Sequence, residues 1–201
     1  MNKDIQGLKR ADLMSLEEYS ERRNDFRTQV MAHKKNRQVA LGPNSRLYFE
    51  DRTTIQYQIQ EILRIEKIFE SSGIDEELDS YNPLIPDGSN WKATFMIEFE
   101  DEDERKEALA RFIGIETCIW VRVDGLAQVY PIANEDLERQ TENKTSAVHF
   151  LRFELDQTMI EAAKGGADIY MGVNHPEYSH ETGALRRNIA DSLTSDLSLH
   201  H

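Results

Sequence analysis

Helical and strand-like segments do not alternate regularly along this chain, and that order constrains the fold more than any single motif. A helical pattern opens the sequence, a short hairpin and further helical segments follow, and strands separated by short helices complete it. A doubly wound parallel sheet would need repeated strand–helix–strand units. The order instead predicts an α+β fold, a mostly antiparallel sheet packed with a long N-terminal helix, a second long helix and shorter ones. A chain of 201 residues can bury one substantial core, so a single domain is expected over 15–199 behind an N-terminal tail at 1–14.

Local signals place the elements. Ser15-Leu-Glu-Glu18 has the capping-box form and predicts a helix to about Asn36. Gly42-Pro-Asn-Ser45 separates two apolar runs, Gln38 to Leu41 and Arg46 to Glu50, as a hairpin turn does. Residues 53–60 fit both periods, but the helical one continues to Glu70 and is preferred. A short helix over Ile74 to Ser80, a Pro-rich loop, a strand over Trp91 to Glu100 and a helix over Asp101 to Ile113 come next. A hairpin around Asp124-Gly125 is expected to join Thr117–Val123 to Leu126–Ile132. Residues 134–146 are polar and aperiodic, which predicts a mobile surface loop where cleavage is best tolerated. A strand over Ala147 to Leu155, a helix over Gln157 to Lys164, a strand over Ala167 to Asn174 and a helix over Thr182 to Leu199 complete the reading.

With 37 acidic against 24 basic residues the chain carries a formal charge of −13, which argues against non-specific binding to nucleic acid or an anionic membrane. No window approaches the ~20 consecutive apolar residues of a membrane span, and the charged start lacks the apolar core of a secretory signal. A cytoplasmic location is expected. The one cysteine, Cys118, permits neither an internal disulfide nor a cysteine metal cage.

Several stretches taken together carry a resemblance: Glu18-Tyr19 with Arg22, Arg23 and Phe26-Arg27; Lys34-Lys35-Asn-Arg37 leading into Gly42-Pro43-Asn44; Gln58 to Arg64; Glu77 to Asn82; and Asn174-His175-Pro176 with Tyr178. They resemble the bacterial family known as domain of unknown function 3501, from about Leu13 to Leu197. The resemblance implies an accessory role beside rubrerythrin-like or iron–sulfur redox proteins, in anaerobic or oxidative-stress electron transfer, because such proteins are encoded near family members. It carries over no catalytic residue.

Two constellations could bear chemistry. Six basic residues against two acidic ones lie between Ser20 and Ala40, and a helical wheel places Arg23 inside the apolar face, with Arg27 and Lys34 on its edge. Arg23, Arg27, Lys34 and Arg37 form a candidate wall for a small anion or a nucleotide, and the chain could then be an enzyme. On the second helix Glu66 falls within the stripe of Ile55, Ile59, Ile62 and Phe69. It reads either as an ion-pair partner of Arg23 or Arg27 or as a tuned acid beside a bound anion. The second constellation is His175, Glu177 and His180, which read as a polar turn or as a mononuclear metal site. No cofactor is expected, and iron or zinc is the candidate if those residues bind one. No complete catalytic motif is present, so a non-catalytic interaction protein is the leading expectation.

Overall fold

The computed structural model describes residues 7–199. Residues 1–6 of the expected tail and the two terminal histidines lie outside them. The fold is α+β, with six α-helices and two antiparallel sheets among the described residues. The expected tail is in part packed. Leu8 is buried, its backbone N–H and C=O both bonded to the Asn82 side chain, and a 3-10 turn follows at Arg10–Asp12.

Helix α1 (Leu16–Lys34) starts where the cap predicts, the Ser15 hydroxyl accepting from the Glu18 amide. A 3-10 turn (Lys35–Arg37) leads into the hairpin β1 (Gln38–Ala40) and β2 (Ser45–Phe49). Helix α2 (Arg52–Ile65) is capped by Asp51, whose carboxylate accepts from the Thr54 amide while the Thr54 hydroxyl accepts from the Asp51 amide. This helix stops short of the expected Glu70. Lys67 takes a left-handed conformation, and the Ile68 amide reaches back to the Leu63 carbonyl, so the terminus closes as a Schellman turn without glycine. Helix α3 (Ser71–Tyr81) then packs on α2.

The five-stranded sheet runs β1-β2-β3-β6-β5, with β3 at Asn90–Ile97, β5 at Ile132–Ala133 and β6 at Val148–Glu154. The second sheet runs β4-β7-β8, with β4 at Ile119–Val123, β7 at Ile169–His175 and β8 at Tyr178–Glu181. Helices α4 (Glu102–Arg111), α5 (Gln157–Lys164) and α6 (Arg187–Thr194) complete the chain. Phe49, Trp91, Phe95, Leu151 and Phe153 from one face of the five-stranded sheet share a core with Ile119, Val121, Met171 and Val173 of the second sheet. A smaller cluster of Leu8, Ile55, Ile59, Leu63, Leu78 and Ile85 holds the α2–α3 layer together.

Three expectations are corrected. The Asp124-Gly125 turn forms, but its return limb meets β4 only through the Val121–Val129 bridge, and β4 takes β7 as its partner. Pro131, lacking an N–H, cannot extend a ladder, and the chain crosses to pair Ile132 with Arg152 in the other sheet. The polar stretch after Asn174 is a β-hairpin, with Tyr178 opposite His175. The last helix begins at Arg187 rather than Thr182, because Thr182 and Leu185 still donate to Met171 and Ile169 of β7. It ends at Thr194 rather than Leu199, and Leu193 of the helix and Leu197 beyond it dock on the main core.

Candidate functional site

The register of the five-stranded sheet assembles a site that no motif announces. Side chains alternate between its faces, so the residues opposite the core form rows. Gln38, Tyr48, Thr94 and Phe150 make one row, and Arg46, Met96 and Val148 the next. Helices α2 and α3 lie over this outer face and leave a cleft. Its larger part, of about 680 Å³, lies between Tyr48, Glu50, Thr94, Met96 and Phe150 of the sheet, Ile55, Gln58, Tyr81 and Leu84 of the helical layer, and Lys34 and Lys35 at the end of α1. Tyr81, Leu84 and Phe150 also line a second part of about 630 Å³, bounded by Lys92, Glu135, Arg139 and Arg152, so the two adjoin.

The polar groups of the cleft are held in place. Glu50 continues the outer-face alternation of β2 past Tyr48, and its carboxylate accepts from the Thr94 hydroxyl (2.9 Å) and the Thr54 hydroxyl (2.6 Å). The Tyr48 hydroxyl donates to Glu98 (2.5 Å); burial and that carboxylate push its pKa up to about 12, so it stays protonated. Burial pushes the Lys92 ammonium down, and it donates to the Pro83 carbonyl (2.6 Å). At the far end the Arg139 guanidinium lies 4.6 Å from the Phe150 ring centroid, and Arg152 bridges to Glu135 in bidentate fashion. The expected surface loop 134–146 thus forms one wall of the cleft.

The candidate residues read from the sequence separate. Lys34 lines the cleft, its ammonium 5.7 Å from the Tyr57 ring centroid. Arg37 also borders it but is 1 % exposed, with its guanidinium committed to the Phe49, Glu50 and Ser192 carbonyls and to Asp196. Arg27 is exposed and pairs with no described residue. Arg23 forms a bidentate pair with Glu61, at 2.7 and 2.8 Å, and the Tyr19 hydroxyl donates to the same carboxylate at 2.6 Å. The expected pairing of Glu66 with Arg23 or Arg27 is therefore corrected to Glu61. The wheel carried Glu66 and Phe69 past Ile65, where the helix has ended, and both are exposed. Glu66, at the C-terminus of α2, does not line this cleft.

The Arg23 hydrogen bond, and then that of Tyr19, hold the Glu61 carboxyl down at about 2. A depressed folded value means this stabilisation is complete above the unfolded carboxylate's pKa and is lost as pH falls through about 2. Glu61→Gln should lower the urea midpoint at pH 7, by less than the Arg37 substitution argued below, and the deficit should shrink in acid. A deficit that did not change with pH would refute the assignment.

His175, Glu177 and His180 do not converge. His175 is buried; its Nδ1 accepts from the Glu177 amide and its Nε2–H donates to the Ile113 carbonyl, so both ring nitrogens are used. His180 packs on the Tyr178 ring and so close to Gly42 that a Cβ there would lie 2.4 Å from the imidazole. Among the described residues no three His, Cys, Asp or Glu side chains are grouped to hold a metal ion. Tyr178 instead pins the β1–β2 turn, donating to the Leu41 carbonyl (2.6 Å) and accepting from the Asn44 amide (3.0 Å).

The sequence model of a family described as protein of unknown function (DUF3501) matches residues 7–197. The chain belongs to this family. Among solved structures it is similar to a novel protein of unknown function from Burkholderia pseudomallei, at 52% identity and a TM-score of 0.91, covering 96% of this chain and 100% of that one. No curated protein matches. No helix among the described residues is long and apolar enough to cross a membrane. For a DUF3501 protein the cleft and its fixed groups are therefore the ground on which function is argued.

Proposed function

We propose that the protein binds a small molecule in the cleft between the α2–α3 layer and the outer face of the five-stranded sheet. One observation carries the reading: the face opposite the core presents Tyr48, Met96 and Phe150 to an open cavity of about 680 Å³, together with polar groups fixed by their own hydrogen bonds. A concave, largely apolar pocket with a few oriented polar groups is the usual form of a ligand site. Lys34 and Lys35 at the mouth supply positive charge for an anionic substituent, which keeps part of the basic-helix expectation and drops Arg23, Arg27 and Arg37 from it. The proposal concerns binding, not a reaction. No contact or ligand cluster among the described residues favours an iron or zinc cofactor or the redox-accessory role, and it is made without them.

A thermal-shift screen of small metabolites tests it. A ligand at a hundred times its Kd should raise Tm by roughly 5–10 °C. Met96→Trp, which fills the cleft from the sheet side, should abolish the rise while the circular dichroism spectrum is kept, and Arg27→Ala should leave it intact. The proposal is lost if no compound shifts Tm, or if the rise survives in Met96→Trp.

A further inference from the structure

Glu50 is an acidic group of the cleft whose carboxylate is held by hydroxyls. Two threonine hydroxyls hold its carboxylate, from Thr94 at 2.9 Å and Thr54 at 2.6 Å, and among the described residues no lysine or arginine forms an ion pair with it. Glu61, a carboxylate of the neighbouring helix α2, takes Arg23 instead. A carboxylate offers about four lone-pair positions. The hydroxyls approach one oxygen each, so both oxygens keep capacity for a further donor. They also fix the plane of the group before anything binds, which lowers the cost of ordering it.

The surroundings narrow what such a carboxylate can receive. A simple ammonium ligand would satisfy Glu50 but would meet Lys34 and Lys35 at the same mouth. A ligand with N–H donors at one end and an anionic group at the other complements both. Tyr81 and Phe150 give the intervening space aromatic walls suited to a flat ring.

Resting on the cleft being a binding site, we infer that its ligand is a planar nitrogen heterocycle that presents two adjacent N–H groups to Glu50 and carries an anionic substituent toward Lys34 and Lys35. Guanine nucleotides and pterin carboxylates share that donor edge and that charge. Both N–H groups donate to the carboxylate, one to each oxygen, in the parallel geometry that makes charge-assisted pairs strong.

Calorimetric titration of the full chain with guanosine 5′-monophosphate and, separately, pterin-6-carboxylate tests this and separates the two sources. At least one should bind, and Glu50→Gln should weaken it roughly ten- to hundred-fold. Inosine 5′-monophosphate, which lacks the exocyclic amine, should bind more weakly than the guanosine compound. Guanosine without phosphate should be insensitive to Lys34→Ala. If Glu50→Gln does not fold, the guanosine-to-inosine monophosphate ratio on the unmodified protein decides alone. Equal affinities, or an unaffected Glu50→Gln, overturn the inference. If neither probe binds while another compound gives a rise that Met96→Trp removes, the ligand class is wrong and the cleft still binds; if nothing binds, both fall.

Discussion

Replacing Arg37 with methionine should destabilise the protein by about 3–5 kcal/mol, the cost of breaking a buried ion pair from one side. The guanidinium is 1 % exposed and joins segments far apart in sequence: it donates to the Phe49 and Glu50 carbonyls at the end of β2, to the Ser192 carbonyl in α6, and to Asp196. Methionine fills much of the volume but withdraws the guanidinium donors from the Phe49 and Glu50 carbonyls and from the Asp196 carboxylate, and unmet buried acceptors cost more than made bonds gain. Asp196→Asn should cost much less. Burial pushes Asp196 up to about 6 against the pull of Arg37, so its charge is held there at a cost that an amide, still able to accept from Arg37, does not incur. Because the folded value lies above the ordinary 3.8, the folded state takes up this proton first, and the contribution of Asp196 falls as pH rises from about 4 to about 6. The stability gap between wild type and Asp196→Asn should therefore narrow across that window. Chemical denaturation of both variants from pH 4 to 8 measures it, and equal losses at pH 7 would contradict the argument.

Arg37 also marks the limit of what the chain's order discloses. Signals that act within one turn are legible: the Ser15 cap and the Gly42-Pro-Asn turn both stand where local chemistry puts them. Asp196 lies 159 residues from Arg37, and nothing local to either pairs them. The helix stop at Lys67 has no sequence signal because the left-handed residue is not glycine, and a wheel continued past it places Glu66 on a face it does not occupy. Of the basic residues singled out, Lys34 lines the cleft and forms no ion pair among the described residues, whereas Tyr48, Glu50, Thr94 and Phe150 become neighbours only through strand register. A faint signal was present. Met96 and Phe150 are large apolar residues at positions where a solvated sheet face would carry polar ones, and that excess marks a covered or ligand-facing surface.

Acid should weaken the protein through His149, and His149→Phe should remove that sensitivity at a cost of about 2–4 kcal/mol near pH 7.5. The ring is fully buried in β6 beneath the wall formed by loop 134–146. Its Nδ1 lies 3.0 Å from the Asn134 amide nitrogen, while the Asn134 carbonyl oxygen accepts from the Phe150 amide, so Asn134 donates and Nδ1 carries no proton. Nε2–H then donates to the Ser146 carbonyl at 3.0 Å. A second proton would set two donors against each other at Nδ1. Burial, the leading cause, depresses the imidazole below its ordinary 6.5; the buried Glu116 pulls the other way and Arg139 adds to the depression. The unfolded histidine takes up its proton near 6.5 while the folded one does not, so stability is complete above that pH and declines below it, by at most ~1.4 kcal/mol per unit for one group. Asp196 acts with the opposite sign over part of the same range, so the informative quantity is the difference between wild type and His149→Phe. That difference should shrink from pH 7.5 to 5 as the wild type alone loses the histidine contribution. Since Asn134 and Ser146 flank the cleft wall, proteolytic nicking within 134–146 should rise over the same interval in wild type, and in His149→Phe it should be high at every pH. A wild-type loop whose cleavage rate does not change between pH 7.5 and 5 would show that His149 does not hold the wall.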